Sequence, residues 1–220
     1  MSAFSSALQI AVAAGTVIVL AGLGELLLER TGVMNLGIEG VVSLGAVAAV
    51  LSATVIDNPW VCLLIAMAVG VAGGALFALF AVVLRVDQVL VGLAIFLIGI
   101  GLTNQLGADQ ANLPIRTTFD VVRIPLLVDL PVIGRALFAQ PLLVYIAYVV
   151  LPIGATLLLF RTRHGINLRS VGEDPAAADS AGVNVTGMRV LYSLVAGALQ
   201  AAGGAYLMLS FTPSFSANPA

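Results

Sequence analysis

Residues Pro59–Leu84 read PWVCLLIAMAVGVAGGALFALFAVVL, and no charged side chain interrupts them. The hydrocarbon core of a bilayer is about 30 Å thick, and a helix needs about 20 apolar residues to cross it. The stretch satisfies that length. Its Leu, Ala, Val and Gly show no alternation of polar and apolar side chains, whereas a barrel strand would alternate over about ten residues. Outward from it lie five more segments of the same character: Ala7–Leu28, Val33–Val55, Gln88–Leu106, Pro141–Phe160 and Val190–Leu209. The expected fold class is therefore all-α, a polytopic transmembrane helical bundle of about six spans forming a single domain over residues 1–220.

Composition supports this class. Of 220 residues, 60% are hydrophobic and only 9% charged, and the mean hydropathy is +1.12. A soluble domain needs more polar surface than that. The net charge of −2 offers no basic face for nucleic acid. A single Cys62 and a single His164 provide neither a disulfide framework nor a metal-ligand set. The first segment has no basic region before it and is long for a secretory signal, so it reads as a retained span.

Charge near the span ends predicts the orientation. Arg161, Arg163, His164 and Arg169 follow the fifth segment, and basic residues beside spans favour the cytoplasm. Alternation then places residues 161–189, Arg85 and Glu29–Arg30 inside. The Asp57–Asn58–Pro59 turn and the polar connection 107–140 fall outside, with both termini outside if all six segments cross. That outer connection sets Arg116, Arg123 and Arg135 against Asp109, Asp120 and Asp129. Gly70 with Gly74, and Gly197 with Ala201 and Ala205, are spaced as small residues that let membrane helices approach closely.

Two constellations interrupt the apolar pattern. The first is ERTGVMNLGIEG, Glu29–Gly40. Asn35 and Glu39 are four apart and would share a face if helical. A carboxylate this far into a span is costly, so Glu39 is expected to face protein or a watery path. Asn35 and Glu39 then either lock neighbouring helices together or contact a solute directly. The second is the stretch Arg161–Arg189. Within it, Asp174 is a good helix N-cap, Pro175 suits the first helical position, Ala176–Ala178 favour helix, and Gly182 suits a left-handed stop. A helix this short does not persist alone in water. It rests either on a partner protein at the membrane face or on its own chain.

These two constellations closely resemble the permeases of ATP-binding-cassette importers for nucleosides, sugars and branched-chain amino acids. ERTGVMNLGIEG followed by LGAVAAV matches the membrane-embedded signature, and HGINLRSVGEDPAAADSAGVNV leading into SLVAGALQAAGGAYL matches the cytoplasmic coupling region. The likeness runs from about residue 10 to about residue 212 and is strongest to the nucleoside and simple-sugar branch. The resemblance implies that the short cytoplasmic helix seats in an ATPase subunit, with Gly172, Glu173, Asp174, Pro175, Ala177, Ala178, Gly182 and Val183 as the coupling element. It places Asn35, Glu39 and Gly40 near the translocation pathway. It implies two ATPase subunits, a second permease (identical or homologous) and an extracytoplasmic solute-binding protein or lipoprotein. The membrane implied is a bacterial or archaeal plasma (inner) membrane. It also implies further spans beyond Ala220, so the chain is expected to be C-terminally truncated relative to the family.

No GxxxxGK[ST] phosphate loop is present, and without Lys none is possible, so ATP would be hydrolysed by another chain and no cofactor is expected on this one. An intramembrane protease would need a Ser and a His within the membrane, whereas His164 lies in the cytoplasmic stretch. The remaining alternative is a self-sufficient carrier or channel using Glu25 and Glu39. The punctuated helix at 174–182 has no evident use in such a protein.

Overall fold

The computed structural model describes residues 3–108, 117–123 and 134–211. Asp109, Arg116, Asp129 and the side chain of Arg135 lie outside the described residues. The helices are α1 (Ala3–Glu29), α2 (Ile38–Ala53), α3 (Pro59–Phe77), α4 (Gln88–Gly107), α5 (Gly134–Phe138), α6 (Leu142–Tyr145), α7 (Leu151–Arg161), α8 (Arg163–Glu173), α9 (Pro175–Ser180) and α10 (Val185–Tyr206). Wider π-helical turns extend α3 over Ala78–Val83, join α6 to α7 over Ile146–Val150, and extend α10 over Leu207–Phe211.

Five continuous helices are long and apolar enough to cross a membrane: Ala7–Glu29, Pro59–Val83, Gln88–Gly107, Leu142–Arg161 and Val185–Phe211. The second expected span differs from its prediction. Helix α2 has only 16 residues, roughly 24 Å at 1.5 Å per residue. The chain ahead of it, Thr31–Gly37, which includes the first five residues of the expected span, is a non-helical strap. Gly32 turns it with φ +77°, a conformation that carries no steric cost without a Cβ. The sixth passage is thus a short helix preceded by a non-helical segment that turns at both its ends.

Helix α10 forms the centre of the bundle. In its most apolar window 56% of residues are buried, against 22–39% in the other four long helices. Small residues make that centrality possible. Gly70 of α3 faces the backbone of Gly197, and Gly74 faces Ser193. Gly45 of α2 meets Ala201, and Gly204 meets Val42 and Ala46. On the other side Gly24 of α1 lies against Ala196, and Gly203 against Val17. The pairs show α1 and α3 antiparallel to α10. Gly40 and Gly99 bring α2 and α4 together in parallel. Each added Cβ would strike facing backbone, so these rows set the interhelical distances.

Polar caps mark the helix starts. Asn58 Oδ1 accepts from Trp60 N (3.0 Å) and Val61 N (3.4 Å) at the start of α3. Asp87 Oδ1 accepts from Val89 N (3.0 Å) and Leu90 N (3.1 Å) at the start of α4. Each satisfies amide donors that the helix itself leaves free.

The bundle has two distinct ends. At one, Thr117 Oγ1 donates to Asp57 Oδ1 (2.7 Å), Phe119 N donates to Leu209 O (3.3 Å), and Trp60 packs edge-on to Phe119 with centroids 5.0 Å apart. Beside it, Val121–Arg123 and Ala139–Pro141 form a two-stranded antiparallel ladder, β1 and β2, with Val122 opposite Gln140. This small ladder lies in the polar connection 107–140 and reaches Pro141, the first residue of the fifth expected segment. At the other end gather the strap, the turn before α4, and α8–α9. The described chain both begins and ends at the Trp60 end, in line with the even number of passages.

Candidate functional site

Helix α9 is built from local rules. Asp174 Oδ1 accepts from Ala176 N and Ala177 N, each at 3.0 Å. Pro175 occupies the first turn. Gly182 has φ +83°, and the end is closed by Gly182 N donating to Asp179 O (2.8 Å) and Val183 N to Ala178 O (3.0 Å). That pair of bonds is a Schellman closure, which needs a left-handed residue where Gly182 stands. Ala178 is buried and anchors the helix, while Ala176, Ala177, Asp179 and Ser180 are exposed. The result is a rigid, solvent-facing projection six residues long.

Sequence reasoning missed α8, the helix that carries α9. Thr162 caps it by accepting from Gly165 N (3.0 Å). Gly165, Leu168 and Val171 are buried along one side. Its two glycines lower helix propensity, yet both are sites of close approach. Gly165 packs on the carbonyls of Leu158 and Leu159 in α7, and Gly172 packs on the carbonyl of Arg30 and on Gly32. The i, i+3, i+6 spacing of Gly165, Leu168 and Val171 was the available signal. Gly172 therefore joins α8 to the strap, while Glu173 is exposed at the C-terminal end of α8.

The strap is held by side chains from three helices. Arg189 Nε of α10 donates to Thr31 O (3.2 Å), and Met34 N donates to Gln88 Oε1 of α4 (3.0 Å). Asn35 N donates to Glu25 Oε1 of α1 (2.7 Å), and Gly37 N donates to Asn35 Oδ1 (2.8 Å). Glu25 Oε2 in turn accepts from Gln200 Nε2 of α10 (3.1 Å). Irregular backbone inside a membrane protein must find such partners, because lipid offers none. Glu25, Asn35 and Gln200 are all buried.

One expectation is corrected here. Asn35 does not share a helical face with Glu39, because α2 starts only at Ile38 and Asn35 lies in the strap. The bond from Asn35 N to Glu25 and the turn in which Gly37 N donates to Asn35 Oδ1 hold the segment out of the helix. Glu39 is exposed on this chain. It lines a cavity of about 460 Å³ between α1 and α2, with Val17, Ala21 and Ser43. Gly40 is buried against Ile95 and Phe96 of α4, where it serves helix contact. Glu25 and Glu39, paired in the carrier alternative, occupy different surroundings: one buried against Asn35 and Gln200, the other at the surface.

A cleft of about 720 Å³ opens at this end beside α9. The strap residue Val33, the turn residues Arg85, Asp87 and Gln88, and Pro175, Asp179 and Arg189 line it. Arg85 takes a left-handed backbone, φ 55°, at the turn. On the other flank His164 Nε2 lies 3.0 Å from Tyr192 OH, and the Arg169 guanidinium stacks 5.0 Å from the Phe160 ring.

Several apolar passages, small-residue contacts and a capped helix projecting at one end define a polytopic helical membrane protein. The chain belongs to the permease-component family of the branched-chain amino acid transport system, whose family model matches residues 6–218. It is 37% identical over 216 residues to a putative glucose ABC transporter permease protein of Haloferax volcanii, covering 96% of this chain and 65% of the relative. It is 33% identical over 213 residues to a nucleoside ABC transporter permease protein of Lactococcus lactis subsp. cremoris, covering 92% and 67%. A guanosine ABC transporter permease protein of Bacillus subtilis is 34% identical over 212 residues, covering 90% and 66%. The chain thus spans about two thirds of the length of the curated relatives it matches. No solved structure matches it. Family and helices together make it a multi-pass protein of the plasma membrane.

Proposed function

We propose that the chain is a membrane-spanning permease subunit of an ATP-driven importer for nucleosides or simple sugars, coupled to separate ATPase subunits through α9. The observation that carries this reading is α9 itself. It is capped at both ends, rooted by Ala178 and Gly172, and otherwise presents its side chains to solvent. A capped helix on a rigid root transmits a push, which a loop of the same length would absorb. Glu173, Asp174, Pro175, Ala177, Gly182 and Val183 form the projection, and the 720 Å³ cleft beside it offers room for a partner's side chains.

The solute class rests on the nucleoside, guanosine and glucose permeases that the chain resembles. Asn35, Glu39 and Gly40 form the proposed pathway group, in which Asn35 and Gly40 are buried and Glu39 is exposed and lines a cavity. A second permease and an extracytoplasmic solute-binding protein complete the proposed assembly.

Affinity purification from native membranes in mild detergent, with mass spectrometry of what accompanies the chain, tests the proposal. An ATP-binding-cassette ATPase, a second permease and a solute-binding lipoprotein are expected. A stable, monodisperse chain recovered alone would overturn it in favour of a self-sufficient carrier. Uptake of radiolabelled nucleosides and of glucose into vesicles containing the complex then separates the solute classes.

A further inference from the structure

We propose that the strap Thr31–Gly37 carries movement of α8–α9 into the bundle, and that Glu25 and Gln200 are positioning residues that hold its inner end. This rests on the coupling role proposed for α9. The strap is touched from both directions. At its outer end Gly172, two residues before the α8–α9 junction at Asp174, packs on Arg30 and Gly32, and Arg189 holds the Thr31 carbonyl. At its inner end the Asn35 amide is held by Glu25, and Glu25 is held by Gln200 in the central helix. A displacement of α8 therefore meets the strap first, and a displaced strap pulls directly on groups in α1 and α10.

The strap's construction suits that task. Its residues alternate, with Thr31, Val33, Asn35 and Gly37 buried and Gly32, Met34 and Leu36 exposed. Its two ends are tied to the neighbouring helices by backbone bonds, Thr31 N to Leu28 O, Gly32 N to Glu29 O and Val41 N to Gly37 O. The amides of Met34, Asn35 and Gly37 between them are each held by a single side-chain oxygen, so the middle of the strap shifts by exchanging partners instead of breaking a helix. Gln200 supplies a second observation. Its Oε1 is fully buried without a hydrogen-bond donor, a costly state that another arrangement of strap or Glu25 would relieve. An element with two discrete arrangements is the physical requirement for passing a signal between sites.

The test uses the complex with its ATPase subunits in proteoliposomes. Cys62 is 0% exposed, so Met34→Cys places one reactive thiol on the strap, and Ser180→Cys places one on α9. Maleimide labelling of Met34→Cys is expected to change between nucleotide-free and nucleotide-trapped states. Glu25→Ala and Gln200→Leu should abolish that change and lower uptake per ATP hydrolysed about tenfold, within the 5- to 150-fold span of typical site-to-site coupling. Glu25→Gln should restore most of both, because its amide can donate to Gln200 Oε1 while its oxygen still accepts from Asn35 N. A merely structural role would not make labelling at position 34 depend on nucleotide. The inference fails if Met34→Cys ignores nucleotide while Ser180→Cys is protected by the ATPase; α9 coupling then stands without the strap. It also fails if assembled Gln200→Leu and Glu25→Ala complexes keep the full nucleotide response. If neither thiol responds because no ATPase binds, the coupling role of α9 falls, and the inference with it.

Discussion

Replacing Asp174 with Ala and Gly182 with Val attacks α9 at both ends without touching the bundle. Asp174 Oδ1 is the acceptor for two amides, Ala176 N and Ala177 N, each at 3.0 Å. Loss of such a cap costs about 1 kcal/mol, within a range of about 0.5–2. Gly182 sits at φ +83° with nothing within 4 Å of an added Cβ, so the cost there is backbone strain and not collision. An L-residue pays roughly 1–2 kcal/mol in the left-handed region, more when β-branched. The two together come to about 2–3 kcal/mol, or roughly a 30- to 150-fold fall in the population of ordered α9 at 1.4 kcal/mol per decade. Because both residues are exposed and outside the apolar helices, the thermal stability of the bundle should barely change. Hydrogen–deuterium exchange should show faster exchange at the amides of Ala178 and Val183, which close this helix, and no change in α10. In the reconstituted complex, ATP hydrolysis should persist while solute uptake falls. Unchanged exchange at those amides would refute the capping argument. Faster exchange with unchanged uptake would refute the coupling argument while leaving the capping intact.

Other outcomes follow from the packing and the topology. Gly70→Ala or Gly197→Ala should destabilise the detergent-solubilised protein by about 1–3 kcal/mol, the usual cost of overpacking, because each Cβ would strike the facing helix backbone. Gly101→Ala is the control, with nothing within 4 Å, and its melting temperature should equal or exceed that of the parent. Asn58→Ala should cost about 1 kcal/mol through the lost cap of α3, read as faster exchange at Trp60 and Val61, whose amides it now binds. Single cysteines at Val55 and Ser180 should react with impermeant maleimide from opposite faces of the membrane, Val55 from outside, since they occupy opposite ends of the bundle.

The class of this protein was legible in Pro59–Leu84 and its neighbours, because the length of an apolar run is set by bilayer thickness and needs no knowledge of partners. Helix α9 was legible for a related reason. Capping is a local matter of a side chain and the two or three amides after it, so Asp174, Pro175 and Gly182 announced both ends. The small-residue rows announced close helix contact as well, although which helices would meet, Gly70 with Gly197 and Gly45 with Ala201, was decided only by folding. Helix α8 was not foreseen. Its glycines weaken the local signal, and what stabilises it is burial of Leu168 and Val171 together with close approach to α7 and the strap.

The membrane signature shows the boundary between the two kinds of information. Its residues alone marked Glu29–Gly40 as a break in the apolar pattern, and helical spacing placed Asn35 beside Glu39. The tertiary structure drew them apart. Position 25 lies ten residues before Asn35 and position 200 far beyond it, yet Glu25, itself held by Gln200, binds the Asn35 amide and keeps Asn35 buried in a non-helical strap, while Glu39 lies at the surface. Local sequence determines whether a segment is apolar, capped or broken, since those depend on neighbours a few residues away. Which way a broken segment runs is decided by hydrogen-bond partners that the fold delivers from distant helices, because backbone inside a membrane cannot turn to water instead.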